Sequence, residues 1–205
     1  MTVLLAPSAR AALIDAVDGL LPQTQCQRCG YSGCRPYATA VVDDAASIAL
    51  CPPGGEATRQ QLAQLLARAD DAPPLVDEAR RVARIVEADC IGCARCLAAC
   101  PVDAIIGAAG RMHTVFSAWC TGCDLCAPVC PTDCISMDRV TEDVGDSAQT
   151  RAHDARARYR RRLARARAQH EHVQRHELVP LESDPEALRA TVVAALARQQ
   201  RRSDL

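Results

Sequence analysis

The sequence contains no lysine; all 24 basic side chains of its 205 residues are arginine, as a GC-rich coding sequence produces. Aromatic side chains make up only 2%, one Phe, one Trp and three Tyr, so no extensive aromatic core can form. No uncharged apolar run approaches the roughly 18–20 residues that cross a bilayer. The opening Met1-Thr-Val-Leu-Leu-Ala6 is short and has no basic region before it, so neither a secretory signal nor a membrane anchor is expected there. None of the patterns GxxxxGK, GxGxxG or GxSxG occurs, so the phosphate loop, the dinucleotide fingerprint and the nucleophile elbow are absent as well.

Cysteine is what the sequence has in excess, 13 residues. Without an export signal a disulfide framework is not expected, and the odd count argues the same way. The cysteines are read as metal ligands. Charge is divided along the chain: residues 1–150 carry 11 arginines against 18 carboxylates, a net of −7, and residues 151–205 carry 13 against 7, a net of +6. The front is acidic before any metal centre is counted, and the tail is a basic appendage.

Residues 8–21 have the apolar spacing of an amphipathic helix, through Leu13, Val17, Leu20 and Leu21, which Pro22 ends. A second helix is expected from Pro36 through Tyr37 to Val42, and a third from Glu56 to Arg68 with Leu62, Leu65 and Leu66 on one face. Pro52-Pro53-Gly54-Gly55 reads as a rigid turn and Ala72-Pro73-Pro74 as a linker. Residues 147–178 lack Gly and Pro and predict one long helix, with Ala152, Ala155, Tyr159, Leu163, Ala166 and Val173 as a thin stripe. Ser183 and Glu186 resemble a capping box before a last helix bearing Leu188, Val192, Ala195 and Leu196.

Between 80 and 138 the sequence repeats itself at an offset of thirty residues. Cys90-Ile-Gly-Cys-Ala-Arg-Cys-Leu-Ala-Ala-Cys-Pro-Val-Asp-Ala-Ile105 returns as Cys120-Thr-Gly-Cys-Asp-Leu-Cys-Ala-Pro-Val-Cys-Pro-Thr-Asp-Cys-Ile135. A strand-like stretch precedes each copy, Val82–Val86 and His113–Ser117, predicting strand, ligand loop, short helix and strand, twice, about a pseudo-twofold. Each copy carries C-x2-C-x2-C-x3-C-P. Two-residue spacers let one loop deliver three thiolates to three corners of a cubane. In this motif the fourth cysteine serves the other cluster. One [4Fe–4S] cluster is then expected on Cys90, Cys93, Cys96 and Cys130, and a second on Cys100, Cys120, Cys123 and Cys126. Gly92 and Gly122 stand where backbone must fold close around inorganic sulfide. Zinc, which favours two separated pairs closing a tetrahedron, fits the duplicated triplets poorly.

Cys26, Cys29, Cys34 and Cys51 form a further set, C-x2-C-x4-C-x16-C, whose spacing suits either a [4Fe–4S] cluster or a structural zinc ion. Cys134 aligns with Ala104 and is read as a small buried apolar side chain. His113 is read as structural, and His170, His172 and His176 as part of a solvated helix face. Tyr159 is the only aromatic of the basic tail, so base stacking has little to work with and nucleic acid is not an expected partner.

These residues resemble the B subunit of the Rnf/Rsx ion-translocating electron transport complexes. The similarity runs through Leu21-Pro-Gln-Thr-Gln-Cys-Gln-Arg-Cys-Gly-Tyr-Ser-Gly-Cys-Arg-Pro-Tyr37, Cys51-Pro-Pro-Gly-Gly-Glu56, Asp89 to Ser136 and Arg111-Met-His-Thr-Val115, about two-thirds of the chain. It implies a [4Fe–4S] cluster on Cys26, Cys29, Cys34 and Cys51, and so three such clusters in all. It implies an electron-transfer subunit at the cytoplasmic face of a bacterial inner membrane, with no catalytic substrate site of its own. Partners would be the other subunits of the complex and ferredoxin-type or nicotinamide-linked redox proteins. Family members usually begin with a hydrophobic membrane helix, and none precedes the first cysteine set here, so membrane association is expected to be peripheral. A soluble polyferredoxin serving other redox enzymes is the alternative. The expected fold is α+β: a helical [4Fe–4S] domain over 1–71, a linker over 72–79, a bacterial 2[4Fe–4S] ferredoxin-like domain over 80–140 and a basic helical extension over 141–205. With little apolar core available, cluster assembly should be coupled to folding.

Overall fold

The computed structural model describes residues 6–68, 72–140 and 147–177, with isolated helical positions between 186 and 200. Among these the protein is α+β. Helices α1 (Pro7–Leu20), α2 (Cys34–Asp43) and α3 (Gly55–Leu66) are followed by β1 (Arg81–Ile85), α4 (Arg95–Ala99), β2 (Ile105–Ile106), β3 (Thr114–Val115), β4 (Ile135–Arg139) and α5 (Ala148–Glu177). The last helix expected from the sequence, after Ser183, falls largely outside the described residues. The chain divides into two compact units, 1–163 and 164–205.

Within the first unit, α1 starts on Pro7, whose missing N–H and fixed φ suit a first helical position. It stops where Leu21 turns extended (φ −75°, ψ 150°), the conformation a following proline demands. Ile14, Val17 and Leu21 pack with Tyr37, Ala38 and Val41 of α2, with Ile48, and with Leu62 of α3. Leu65, expected on the same face as Leu62, is exposed. Tyr37, the largest fully buried side chain here, donates its hydroxyl to the Ser47 carbonyl (2.8 Å) and accepts from the Leu50 amide (3.4 Å).

The stretch from 72 to 80 has no regular structure, yet it is tied down. Glu78 forms a two-pronged pair with Arg28 (2.5 and 2.6 Å), and the Leu75 amide donates to the Glu56 carboxylate (3.2 Å).

In the repeat, β1 pairs antiparallel with β4 in the register Arg81↔Arg139 to Ile85↔Ile135, and β2 pairs antiparallel with β3, Ile105↔Val115 and Ile106↔Thr114. The first strand of one copy thus pairs with the last strand of the other, and the two halves interlock. The copies differ in their helices. The first has α4, which carries Cys96, the third cysteine of its ligand triplet, with the Ala98 amide bonded to the Ala94 carbonyl (3.4 Å). The second has only turns there. Its residue matching Ala98 is Pro128, which has no N–H to give.

The front half of α5 packs onto this unit. Ala152 and Ala155 are buried, the Arg158 guanidinium lies 3.5 Å from the Trp119 ring centroid, and Arg162 pairs with Asp103 (2.6 Å). The solvated face expected of the basic tail is what residues 164–175, in the second unit, show: all are exposed.

Candidate iron–sulfur sites

The twelve cysteines singled out by spacing fall around three cavities in the first unit. Cys26, Cys29, Cys34 and Cys51 line one. Cys90, Cys93, Cys96 and Cys130 line a second. Cys100, Cys120, Cys123 and Cys126 line a third. The second also takes in Cys134, and Cys100 and Cys130 each line the cavity of the opposite loop. The thiols stand round a void instead of converging on a point: among the described residues, no three His, Cys, Asp or Glu side chains are close enough to hold a single ion.

Local backbone explains how the loops reach this shape. Gly92 and Gly122 both have φ of +70°, a left-handed conformation that costs a side chain dearly. A Cβ on Gly92 would strike the backbone of Arg111, and one on Gly122 the backbone of Arg81. Arg81 and Arg111 are themselves thirty residues apart, so each copy closes its loop in the same way. Two residues further on, the Ala83 amide donates to the Cys120 sulfur (3.3 Å) and the His113 amide to the Cys90 sulfur (3.4 Å). The Ala104 amide donates to the Cys100 sulfur (3.2 Å).

The front site is braced by a buried polar chain that spacing alone did not reveal. The Asp18 carboxylate accepts from the Gln23 amide group (3.0 Å), Gln23 accepts from Gln25 (2.9 Å), and Gln25 accepts from the Cys34 backbone N–H (2.9 Å). Gln23, Gln25 and Gln27 all take positive φ (57–61°), which bends the chain back and forth into the first cysteine loop. Gly33 leaves room for the Gln25 side chain, which a Cβ there would hit. The available signal was three glutamines at alternate positions after Pro22, the third of them between the first two ligands.

Burial sets the protonation of these thiols in the metal-free chain. It pushes Cys34, Cys51 and Cys126 up to about 12 and Cys123 up to about 11. Cys96 is also raised by burial. Cys134 is buried as expected, but it is not isolated: it lines the second cavity and its sulfur is 3.4 Å from that of Cys130. Cys93 is the only one of the thirteen cysteines that is exposed. His113, read from the sequence as structural, is almost fully buried and lines the same cavity as Cys134. His170 and His172 are exposed.

Thiol-lined loops of this spacing on an interlocked α+β repeat define an iron–sulfur protein of the electron-transport class. Residues 83–137 match the family model of the 4Fe-4S dicluster domain, and residues 21–53 match that of the putative Fe-S cluster. The ion-translocating oxidoreductase complex B subunit of Azoarcus sp. (strain BH72) is 54% identical over 137 residues, 64% of this chain and 74% of the relative. The B subunit of Pseudomonas paraeruginosa (strain DSM 24068 / PA7) is 57% identical over 134 residues, 63% of this chain and 69% of the relative. That of Hahella chejuensis (strain KCTC 2396) is 56% identical over 102 residues, 47% and 50% of the two chains. The chain therefore belongs to the B-subunit family of the ion-translocating oxidoreductase complex, and it spans between half and three-quarters of the length of these relatives. No solved structure matches it.

Proposed function

We propose that this chain is the electron-relay subunit of a membrane-associated ion-translocating oxidoreductase complex and that it holds three [4Fe–4S] clusters. The ligand sets are Cys26, Cys29, Cys34 and Cys51; Cys90, Cys93, Cys96 and Cys130; and Cys100, Cys120, Cys123 and Cys126. The observation that carries this reading is the lining of the three cavities, four of the twelve cysteines around each. The donor set fits: sulfur only, spread round a space, with backbone amides already directed at ligand sulfurs.

When bound, the clusters supply one-electron transfer, and the protein sets potential and access. The amides of Ala83, Ala104 and His113 stabilise negative charge on the sulfurs. Ile85 and Ile135 at one cavity, and Val102, Val115 and Met137 at another, keep water away. Cys93, exposed beside the exposed Ile91, is the port through which a redox partner can approach. No substrate bond need be made or broken on this chain.

The repeat domain, 80–140, is a 2[4Fe–4S] ferredoxin-like module, preceded by a helical cluster domain over 1–71 and a linker over 72–79 and followed by a basic extension over 141–205. Partners are the other subunits of the complex and ferredoxin-type or nicotinamide-linked redox proteins. The chain sits at the cytoplasmic face of the inner membrane by peripheral contact; among the described residues no helix is long and apolar enough to cross a membrane.

The test is iron and zinc content with EPR on protein purified anaerobically, before and after reduction. About twelve iron per chain, no zinc and an interacting pair of signals are expected of three four-iron clusters. About eight iron with one zinc would make the front site a structural zinc module and reduce the relay to two clusters.

A further inference from the structure

We propose that His113 makes the two sites of the repeat unequal. Its imidazole hydrogen-bonds the Cys90 and Cys96 sulfurs and thereby raises the reduction potential of the cluster held by Cys90, Cys93, Cys96 and Cys130. This rests on the cluster-holding reading above and adds to it a positioning role for one residue.

The internal repeat supplies the control. At the offset of thirty, His113 corresponds to Ala83, and both donate their backbone N–H to the first cysteine of a ligand loop, at 3.4 and 3.3 Å. The backbone contact at these two positions is therefore the same, and the side chains differ. The His113 Nδ1 lies 3.5 Å from the Cys96 sulfur and 3.6 Å from the Cys90 sulfur. Ala83 offers a methyl group.

Space for the ring is built in. In the β1–β4 ladder Ala83 faces Met137, a small residue opposite a large one. The matching positions on the other sheet are reversed: Gly107, just past β2, stands against His113, and a Cβ on Gly107 would collide with the imidazole. The cavity of Cys100, Cys120, Cys123 and Cys126 is thus faced by a methionine thioether where the cavity of Cys90, Cys93, Cys96 and Cys130 is faced by an imidazole.

A ring there purely to fill volume would be a poor choice. His113 is 1% exposed, and its Nε2 is buried with no hydrogen-bond partner among the described residues. A buried unpaired acceptor is destabilising, a cost that leucine would avoid. A metal-bound thiolate can only accept, so the nitrogen facing the sulfurs carries the proton and Nε2 is left as the bare acceptor. An N–H directed at cluster sulfur stabilises the more negative, reduced state, and the water-poor surroundings enlarge the effect.

The experiment uses the full-length, cluster-loaded chain. In wild type labelled with ¹⁵N-histidine, pulsed EPR should detect nitrogen coupling to one of the two reduced signals of the repeat. In redox titrations followed by EPR, His113→Leu should make one cluster harder to reduce by about tenfold in its equilibrium constant, about 59 mV for one electron. The other two clusters should stay in place. His113→Asn, whose amide N–H can occupy the place of Nδ1–H, should recover most of the shift. Absence of histidine coupling, equal movement of both clusters of the repeat, or an Asn variant shifted as far as Leu would overturn the inference. If His113→Leu loads less iron than wild type, the coupling in the wild-type protein decides alone. Wild type without the paired signals would sink the cluster reading itself; wild type with them but without coupling sinks only this inference.

Discussion

The guanidinium of Arg156, on α5, lies 2.6 Å from the carboxylate of Asp18, on α1, whose side chain is only 3% exposed. The same carboxylate begins the glutamine chain that ends on the Cys34 amide. A residue of the basic tail therefore braces a site more than a hundred residues earlier in sequence. Arg156→Ala should cost about 2 kcal/mol, less than the 3–5 kcal/mol of a wholly orphaned buried charge. Arg35 and Arg160 remain at 3.9 Å to shield Asp18. Denaturant unfolding of the loaded protein should report that loss, and limited proteolysis should cut the front half of α5 faster than in wild type.

Ligand crossing between the loops makes a pairing of phenotypes. Cys130→Ser and Cys96→Ser should remove the same EPR signal, and Cys100→Ser and Cys126→Ser the other one. Each should cost about four iron per chain, the content of one cubane. If Cys130→Ser removed the signal that Cys126→Ser removes, the crossing would be wrong. Cys134→Ser should keep the full iron content, because Cys134 has no counterpart ligand in the first copy.

Loading the sites should release protons. In the metal-free chain the thiols of Cys34, Cys51 and Cys126 hold their protons up to about 12 and Cys123 up to about 11, yet all must be thiolates to bind iron. The protonated form dominates everywhere below those values, so a higher pH removes part of the cost of binding. Apparent affinity should therefore rise steadily between about pH 6 and 8.5. Calorimetry in two buffers of different ionisation enthalpy would measure the protons released; a pH-independent affinity would contradict binding through deprotonated thiols.

The two loop glycines should behave alike. Gly92→Ala and Gly122→Ala each force a side chain into the left-handed region, a cost of order 1–3 kcal/mol, before counting collision with the backbone of Arg111 or Arg81. Each variant is expected to lose the cluster of its own loop first, visible as one missing EPR signal with the front signal intact. Gly110→Ala serves as the comparison: it also has positive φ, but nothing lies within 4 Å of its would-be Cβ, so it should cost less and keep all signals.

Much of this protein was readable in one dimension. Iron–sulfur ligation needs particular atoms at particular short spacings, so two C-x2-C-x2-C-x3-C-P runs and one C-x2-C-x4-C-x16-C set announce their chemistry before folding. Helices α1, α2, α3 and α5 follow from periodicity, Pro22, Pro36 and the Pro-free stretch after 147, because those signals act within a few residues. The missing helix of the second copy also has a local cause, Pro128.

Tertiary structure decided what depends on residues distant in sequence. It set the ring of His113 against two ligand sulfurs, because Gly107, just past β2, leaves the space. It put Cys134 against Cys130, and it turned half of a basic tail into a brace through Arg156, Arg158 and Arg162. Spacing identifies a ligand because the bond is made by the residue itself. The surroundings of that ligand are made by whatever the fold brings beside it, and no local pattern records them.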